Sequence, residues 1–112
     1  MTFNELTTSK CAPLRGAQHQ LSVSKIAEYF QVLPGWSLQN GEIVREFRFA
    51  NYYESIAFVN ALAFIAHAQD HHPELSVYFN RVQVRFSTHD VSGISLNDII
   101  CAAKVSALSP NA

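Results

Sequence analysis

The stretch Asn51-Tyr52-Tyr53-Glu54-Ser55-Ile56-Ala57-Phe58-Val59-Asn60-Ala61-Leu62-Ala63-Phe64-Ile65-Ala66-His67-Ala68-Gln69-Asp70-His71-His72-Pro73 decides how the rest of the chain is read. Asn51 followed by Glu54 has the spacing of a capping box, in which two side chains satisfy the orphan amides at a helix start. The pattern is then helical to about Gln69. Ala57, Ala61, Ala63, Ala66 and Ala68 allow close backbone approach, while Ile56, Phe58, Val59, Leu62, Phe64 and Ile65 fill most of the circumference. A helix that apolar calls for cover on more than one side, from a sheet and from a second subunit. Pro73 disfavours helical geometry at His72, so the helix stops just before it.

Reading outward from this helix gives a strand pair on each side. Upstream, Ser22 or Ser24 can cap a first helix in which Ile26, Tyr29, Phe30 and Leu33 recur at i, i+3, i+4 and i+7. Pro34-Gly35 ends it and Trp36-Ser37-Leu38 begins a strand. Asn40-Gly41 is a strong hairpin signal, because both residues tolerate the positive φ of a type I′ turn. Glu42 to Phe49 is the return strand, with Ile43, Phe47 and Phe49 on one face and Glu46 and Arg48 on the other. Downstream, Ser76–Phe79 and Arg81–Ser87 read as strands, and in the second Val82, Val84 and Phe86 alternate with Arg81, Gln83 and Arg85. Ser95 with Asp98 caps a last helix through about Leu108. The order α-β-β-α-β-β-α predicts an α+β fold: a four-stranded antiparallel sheet with helices packed on one face. Its open edge strands invite pairing with a second copy of the chain.

Composition bounds the rest. The 112 residues make one domain, expected over residues 21–112, behind a polar, loosely held leader at residues 1–20 that contains Pro13 and Gly16. With 48% hydrophobic and 15% charged residues and a net charge of −1, the chain has no basic cluster for nucleic acid or an anionic membrane. No apolar run reaches the roughly 20 residues of a membrane span. The start, Met1 to Glu5, lacks a signal peptide's basic and apolar segments. Cys11 and Cys101 are far apart in sequence and have neither zinc nor redox spacing, so they read as two free thiols in a reducing compartment. The expected location is the cytoplasm. Trp36, Tyr29, Phe30, Tyr52, Tyr53, Tyr78 and Phe79 read as core and sheet packing, and His19 as a solvent-exposed residue of the leader.

The chemistry lies in the histidines. His71 and His72 follow the central helix directly, and His89 follows the last strand, so three imidazoles can converge on one loop-lined cleft. An imidazole with an ordinary pKa of about 6.5 gives or takes a proton near neutrality. Asp70 and Asp90 flank the histidines and can orient an imidazole or bind an amino-substituted ring, and Ser87 and Thr88 add hydroxyls. The same His pair before a proline also has a plain structural role as a helix C-terminal cap, where His⁺ suits the dipole. A metal reading exists too, because His67 and His71 share a helix face at i, i+4, but Ala68 stands where a zinc protease needs its general-base Glu.

The spacing His67-x3-His71-His72-Pro73, then Phe79, His89 and Asp98, resembles the signature of the pterin-4a-carbinolamine dehydratase family. Leu33-Pro34-Gly35-Trp36, Phe47-Arg48-Phe49, Asn80-Arg81-Val82, Ser87-Thr88-His89-Asp90 and Gly93-Ile94-Ser95 are also similar to that family. The resemblance covers about residues 21–108. It implies a four-stranded α+β domain assembling as a homodimer or homotetramer. The implied activity is removal of water from 4a-hydroxytetrahydropterin, giving quinonoid dihydropterin for recycling after an aromatic amino acid hydroxylase has used its pterin. It implies His71, His72 and His89 as the active-site histidines, with Asp70, Pro73, Ser87, Thr88 and Asp90 contacting substrate, and no need of a metal or redox cofactor. His67 stands where many members have Glu, and Leu75 replaces a frequent aromatic. Some members are dimerisation cofactors of a transcription factor, so a non-enzymatic pterin-binding or protein-interaction module is the alternative implied.

Overall fold

Asn40 and Gly41 both have positive φ, 52° and 78°, as a two-residue type I′ hairpin demands. They join strand β1 (Ser37–Gln39) to β2 (Glu42–Arg48). The computed structural model describes residues 1–109, and the expected domain end at 110–112 lies outside the described residues. Strand β2 pairs antiparallel with β4 (Arg81–Phe86), and β3 (Glu74–Val77) pairs with β4, giving the order β1-β2-β4-β3.

Register sets the faces. Ile43 lies opposite Phe86 and Phe47 opposite Val82, so alternate side chains of both central strands fall on one side. They meet Phe58, Leu62 and Ala66 of helix α3 (Tyr52–Gln69) and Ile99, Ile100 and Ala103 of α4 (Leu96–Ser106) in one core. The other side carries Glu46, Arg48, Arg81, Gln83 and Arg85, so the α+β fold has its helices on one face as expected. Arg45 shares the core side and is buried, its guanidinium 4.3 Å over the Phe47 ring and its Nη1 donating to Ser106 Oγ.

The central helix begins and ends where its sequence says. Asn51 caps it by accepting from the Glu54 amide at 3.0 Å, while Glu54 Oε1 accepts from Ala50 N, one residue outside the expected capping box. Only Ser55, Phe58, Leu62 and Ala66 of α3 are buried, a single stripe. Phe64 is 77% exposed, and Tyr53 (84%), Tyr52, Tyr78 and Phe79 are exposed as well, so the last four are not the core packing expected of them. Strand β3 sits two residues earlier than expected. Tyr78 N donates to Arg81 O at 2.9 Å, which turns Tyr78 to Asn80 into the connection to β4 and brings Leu75 opposite Val84.

The leader differs most. Residues 3–8 form a fourth helix, α1 (Phe3–Thr8), with a capping box between Thr2 and Glu5 and with Leu6 fully buried. Helix α2 (Val23–Phe30) follows a 3₁₀ turn at Ala17–His19, is capped by Ser22, one of the two expected candidates, and ends before Leu33. The polar run between them is tied down through its backbone. Cys11 N donates to Gln69 Oε1, Ala12 N to Asn97 Oδ1 and Gly16 N to Asp90 O, while Lys104 Nζ donates to Thr7 O. Pro, Gly and polar residues read as loose because composition cannot reveal that distant side chains satisfy this backbone. No helix among the described residues is long and apolar enough to cross a membrane.

Candidate active site

The site starts at the end of α3. Asp70 adopts the left-handed conformation, φ 51° and ψ 43°, which Asp tolerates better than most residues. The chain therefore folds back over the helix, and His71 N donates to Ala66 O at 3.1 Å. This reversal lays the His71 ring parallel to Phe86, centroids 5.9 Å apart and planes 8° from parallel. The His71 side chain keeps only 13% exposure, and its Nε2 lies 2.6 Å from Asp98 Oδ1.

Asp98 is fully buried in the first turn of α4 and is surrounded by donors. Its Oδ2 accepts from Thr88 Oγ1 at 2.6 Å and from Ser95 N at 2.9 Å. Because the Thr88 proton goes to Asp98, the 2.7 Å contact between Thr88 and Ser95 hydroxyls has Ser95 donating to Thr88. A carboxylate receiving two further donors leaves Oδ1 for His71 Nε2–H, so Nδ1 is the ring nitrogen able to exchange a proton with a ligand. Burial works to lower the His71 pKa, but the Asp98 hydrogen bond and charge, with Cys11 and Asp70 adding to them, carry it above the ordinary 6.5.

The opposite wall is the loop after β4. Ser87 and Thr88 leave the strand, and a 3₁₀ turn spans His89–Val91. Thr88 N donates to Gly93 O at 2.8 Å and Gly93 N to Thr88 O at 3.4 Å, which closes the loop on itself. His89 and Asp90 are held at its exposed tip. Asp70, His71, His72, Ser87, Thr88, His89 and Asp90 together line a cleft of about 200 Å³. A cavity of about 380 Å³ adjoins it along α3 and β3, lined by Leu62, His67, Pro73 and Leu75 among others. Another of about 410 Å³ extends toward Cys11 to Arg15, Gln69 and Asn97.

Seven of the eight residues singled out from sequence share the first cleft, and Pro73 lines the adjoining cavity. Two of them differ in character from the third imidazole: His72 and His89 are exposed, whereas His71 is largely buried. Thr88 is buried, and its hydroxyl is committed to Asp98. Its proton is directed to Asp98, while Thr88 still lines the cleft. The sequence places Asp98 in a helix cap and in the family spacing but gives it no part in the site, and that spacing is the signal that could have found it. The i, i+4 pair His67 and His71 diverges in use, since His67 is exposed while His71 Nε2 is engaged by Asp98. Among the described residues no group of three or more His, Cys, Asp or Glu side chains is arranged to hold a metal. His19 is exposed.

The family model described as pterin 4 alpha carbinolamine dehydratase matches residues 19–108. The chain belongs to that family. A protein of Stenotrophomonas maltophilia (strain R551-3), provisionally named a pterin-4-alpha-carbinolamine dehydratase, is 54% identical over 106 residues, covering 93% of this chain and 91% of its own length. A relative in Xanthomonas campestris pv. campestris (strain 8004) with the same provisional name is 53% identical over 105 residues, covering 92% and 89%. The crystal structure of a transcriptional coactivator/pterin dehydratase from Brucella melitensis superposes with a TM-score of 0.77 at 33% identity, covering 80% of this chain and 98% of that one. In this chain the histidine cleft lies between the end of α3 and the loop after β4.

Proposed function

We propose that this member of the pterin dehydratase family removes water from 4a-hydroxytetrahydropterin to give quinonoid dihydropterin, using its histidines as general acid and base. The observation that carries the reading is the buried His71–Asp98 contact of 2.6 Å beside two exposed imidazoles in one cleft. The reaction needs a proton delivered to the departing 4a-hydroxyl and another taken from a ring nitrogen. His71, whose proton Asp98 holds above its ordinary pKa, suits the delivery. His89, on the facing loop, suits the removal. His72 binds the ring, and the Asp70 and Asp90 carboxylates accept hydrogen bonds from its amino and ring N–H groups, with Ser87 beside them. No step calls for a metal or a redox cofactor. The substrate is what an aromatic amino acid hydroxylase leaves after using its pterin, so such an enzyme is the metabolic partner. The protein works in the cytoplasm as a homodimer or homotetramer.

Steady-state dehydration, with the spontaneous rate subtracted, tests this. His71→Ala and His89→Ala should each lose about 10²–10⁴-fold in kcat, the usual worth of a general acid or base. His72→Ala should raise KM and change kcat less. If both His71→Ala and His89→Ala turn over like the parent, the histidines are structural and the reading fails. A second reading, a pterin-binding or protein-interaction module, draws on the exposed Tyr53 and Phe64 of α3. It predicts that a stable dihydropterin raises Tm by mass action on the folded state while no turnover is measurable.

A further inference from the structure

Cys11 and Cys101, separated by 90 positions, have their sulfurs 3.5 Å apart. Both are free thiols, Cys11 half-buried and Cys101 fully buried in α4. A disulfide brings two sulfurs to about 2.0 Å, so closing this pair asks the two sulfurs to approach further from a distance at which they already touch. The approach is prepared from both sides. Cys11 N donates to Gln69 Oε1 at 2.8 Å, and Ala12 is gripped through N and O by the Asn97 side chain at 3.1 and 2.7 Å. Cys11 also lines the 410 Å³ cavity that it shares with His71 and Asn97. Cys11 is thus the sulfur that an oxidant entering from solvent meets first, with Cys101 directly behind it.

We infer that Cys11 and Cys101 form a peroxide-reactive dithiol that closes to an intrachain disulfide, fastening residues 9–16 to α4 beside the histidine cleft. Hydrogen peroxide is the oxidant. The Cys11 thiolate attacks one peroxide oxygen, the O–O bond breaks, and Cys11 becomes a sulfenic acid as hydroxide leaves and takes up a proton. The Cys101 sulfur then attacks the Cys11 sulfur, giving up its proton and displacing hydroxide, which leaves together as water. The two sulfurs lose two electrons, and the peroxide becomes two waters. Electrostatics favour this order of events. The Cys101 thiol donating to Cys11 draws the Cys11 pKa down against burial and the Asp98 charge, with His71 and Lys104 helping. The same contact and burial push Cys101 up. Attack thus begins at Cys11, and Cys101 resolves it.

The test is peroxide titration of the full chain, read by intact mass, thiol counting and thermal melting. The expected product is a single chain that has lost two hydrogens and gained no oxygen. Both thiols should disappear together and return with dithiothreitol. The oxidised form should melt about 5–15 °C higher, because the bridge closes a very long loop. In Cys11→Ser the remaining thiol should survive the same dose. In Cys101→Ala, Cys11 should gain one oxygen and be captured by dimedone. Cys11→Ser alters only a half-buried side chain and carries the comparison if Cys101→Ala does not fold. Oxygen uptake by the parent without loss of the two hydrogens, a bridge between chains, or two thiols still countable after peroxide would each overturn the inference.

Discussion

At the scale of residues, the decisive contact is His71 with Asp98. Asp98→Asn keeps the shape but removes the charge that opposes burial at His71. The His71 pKa should then fall, measured by NMR titration of its ring. The alkaline limb of the kcat/KM profile should move to lower pH, so that rate is lost on the alkaline side and kept on the acid side. An unchanged His71 titration would remove Asp98 from the account. The same contact links stability to pH. The folded pKa of His71 lies above its ordinary 6.5, so the folded chain holds that proton more tightly than the unfolded one. The stabilisation is complete below about pH 6.5 and is lost as pH rises through the raised value. Denaturant titrations across that window should show the component in the parent and not in Asp98→Asn. That His71, His72 and His89 converge on one cleft was legible from their positions just after α3 and β4. The difference among them was not, because burial against Phe86 and Asp98 depends on residues fifteen and more positions away.

At the scale of elements, helix starts were the most readable feature. Asn51, Ser22 and Ser95 each cap a helix through a local side-chain contact, so three or four residues contain the whole signal. The Asn40-Gly41 turn is local in the same sense. Helix α1 escaped because six residues with a single buried apolar position have no measurable period. Strand β3 shifted because Val77, Tyr78 and Phe79 have equal strand character, and only pairing with β4 decides which of them turns. Leu6 tests whether the leader belongs to the fold. Leu6→Ala should lower the unfolding free energy by about 2–5 kcal/mol, as for other buried leucines. A loosely held leader would lose almost nothing in chemical denaturation.

At the scale of the whole molecule, α3 presents one buried stripe and an opposite face with Tyr53 and Phe64 in the open. Strands β1 and β3 are the outer strands of the sheet, with no further strand beside them among the described residues. Light scattering at micromolar concentration should therefore report a dimer or tetramer of the 12.5 kDa chain. Phe64→Glu should shift it toward smaller species while the far-UV spectrum stays native, because Phe64 is 77% exposed within one chain and its replacement leaves the core intact. A monomeric parent would contradict this, as would an assembly indifferent to the charge. By itself the sequence determined the α+β class, the hairpin, the helix caps and the residues that line the cleft, since each is encoded in local spacing or alternation. Tertiary structure alone decided which histidine is buried, that Asp98 serves it, that Thr88 serves Asp98, and that Cys11 touches Cys101. Those contacts join positions 10 to 90 residues apart, where no periodicity connects the partners, and only the packing of α4 against the ends of α3 and β4 brings them within bonding distance.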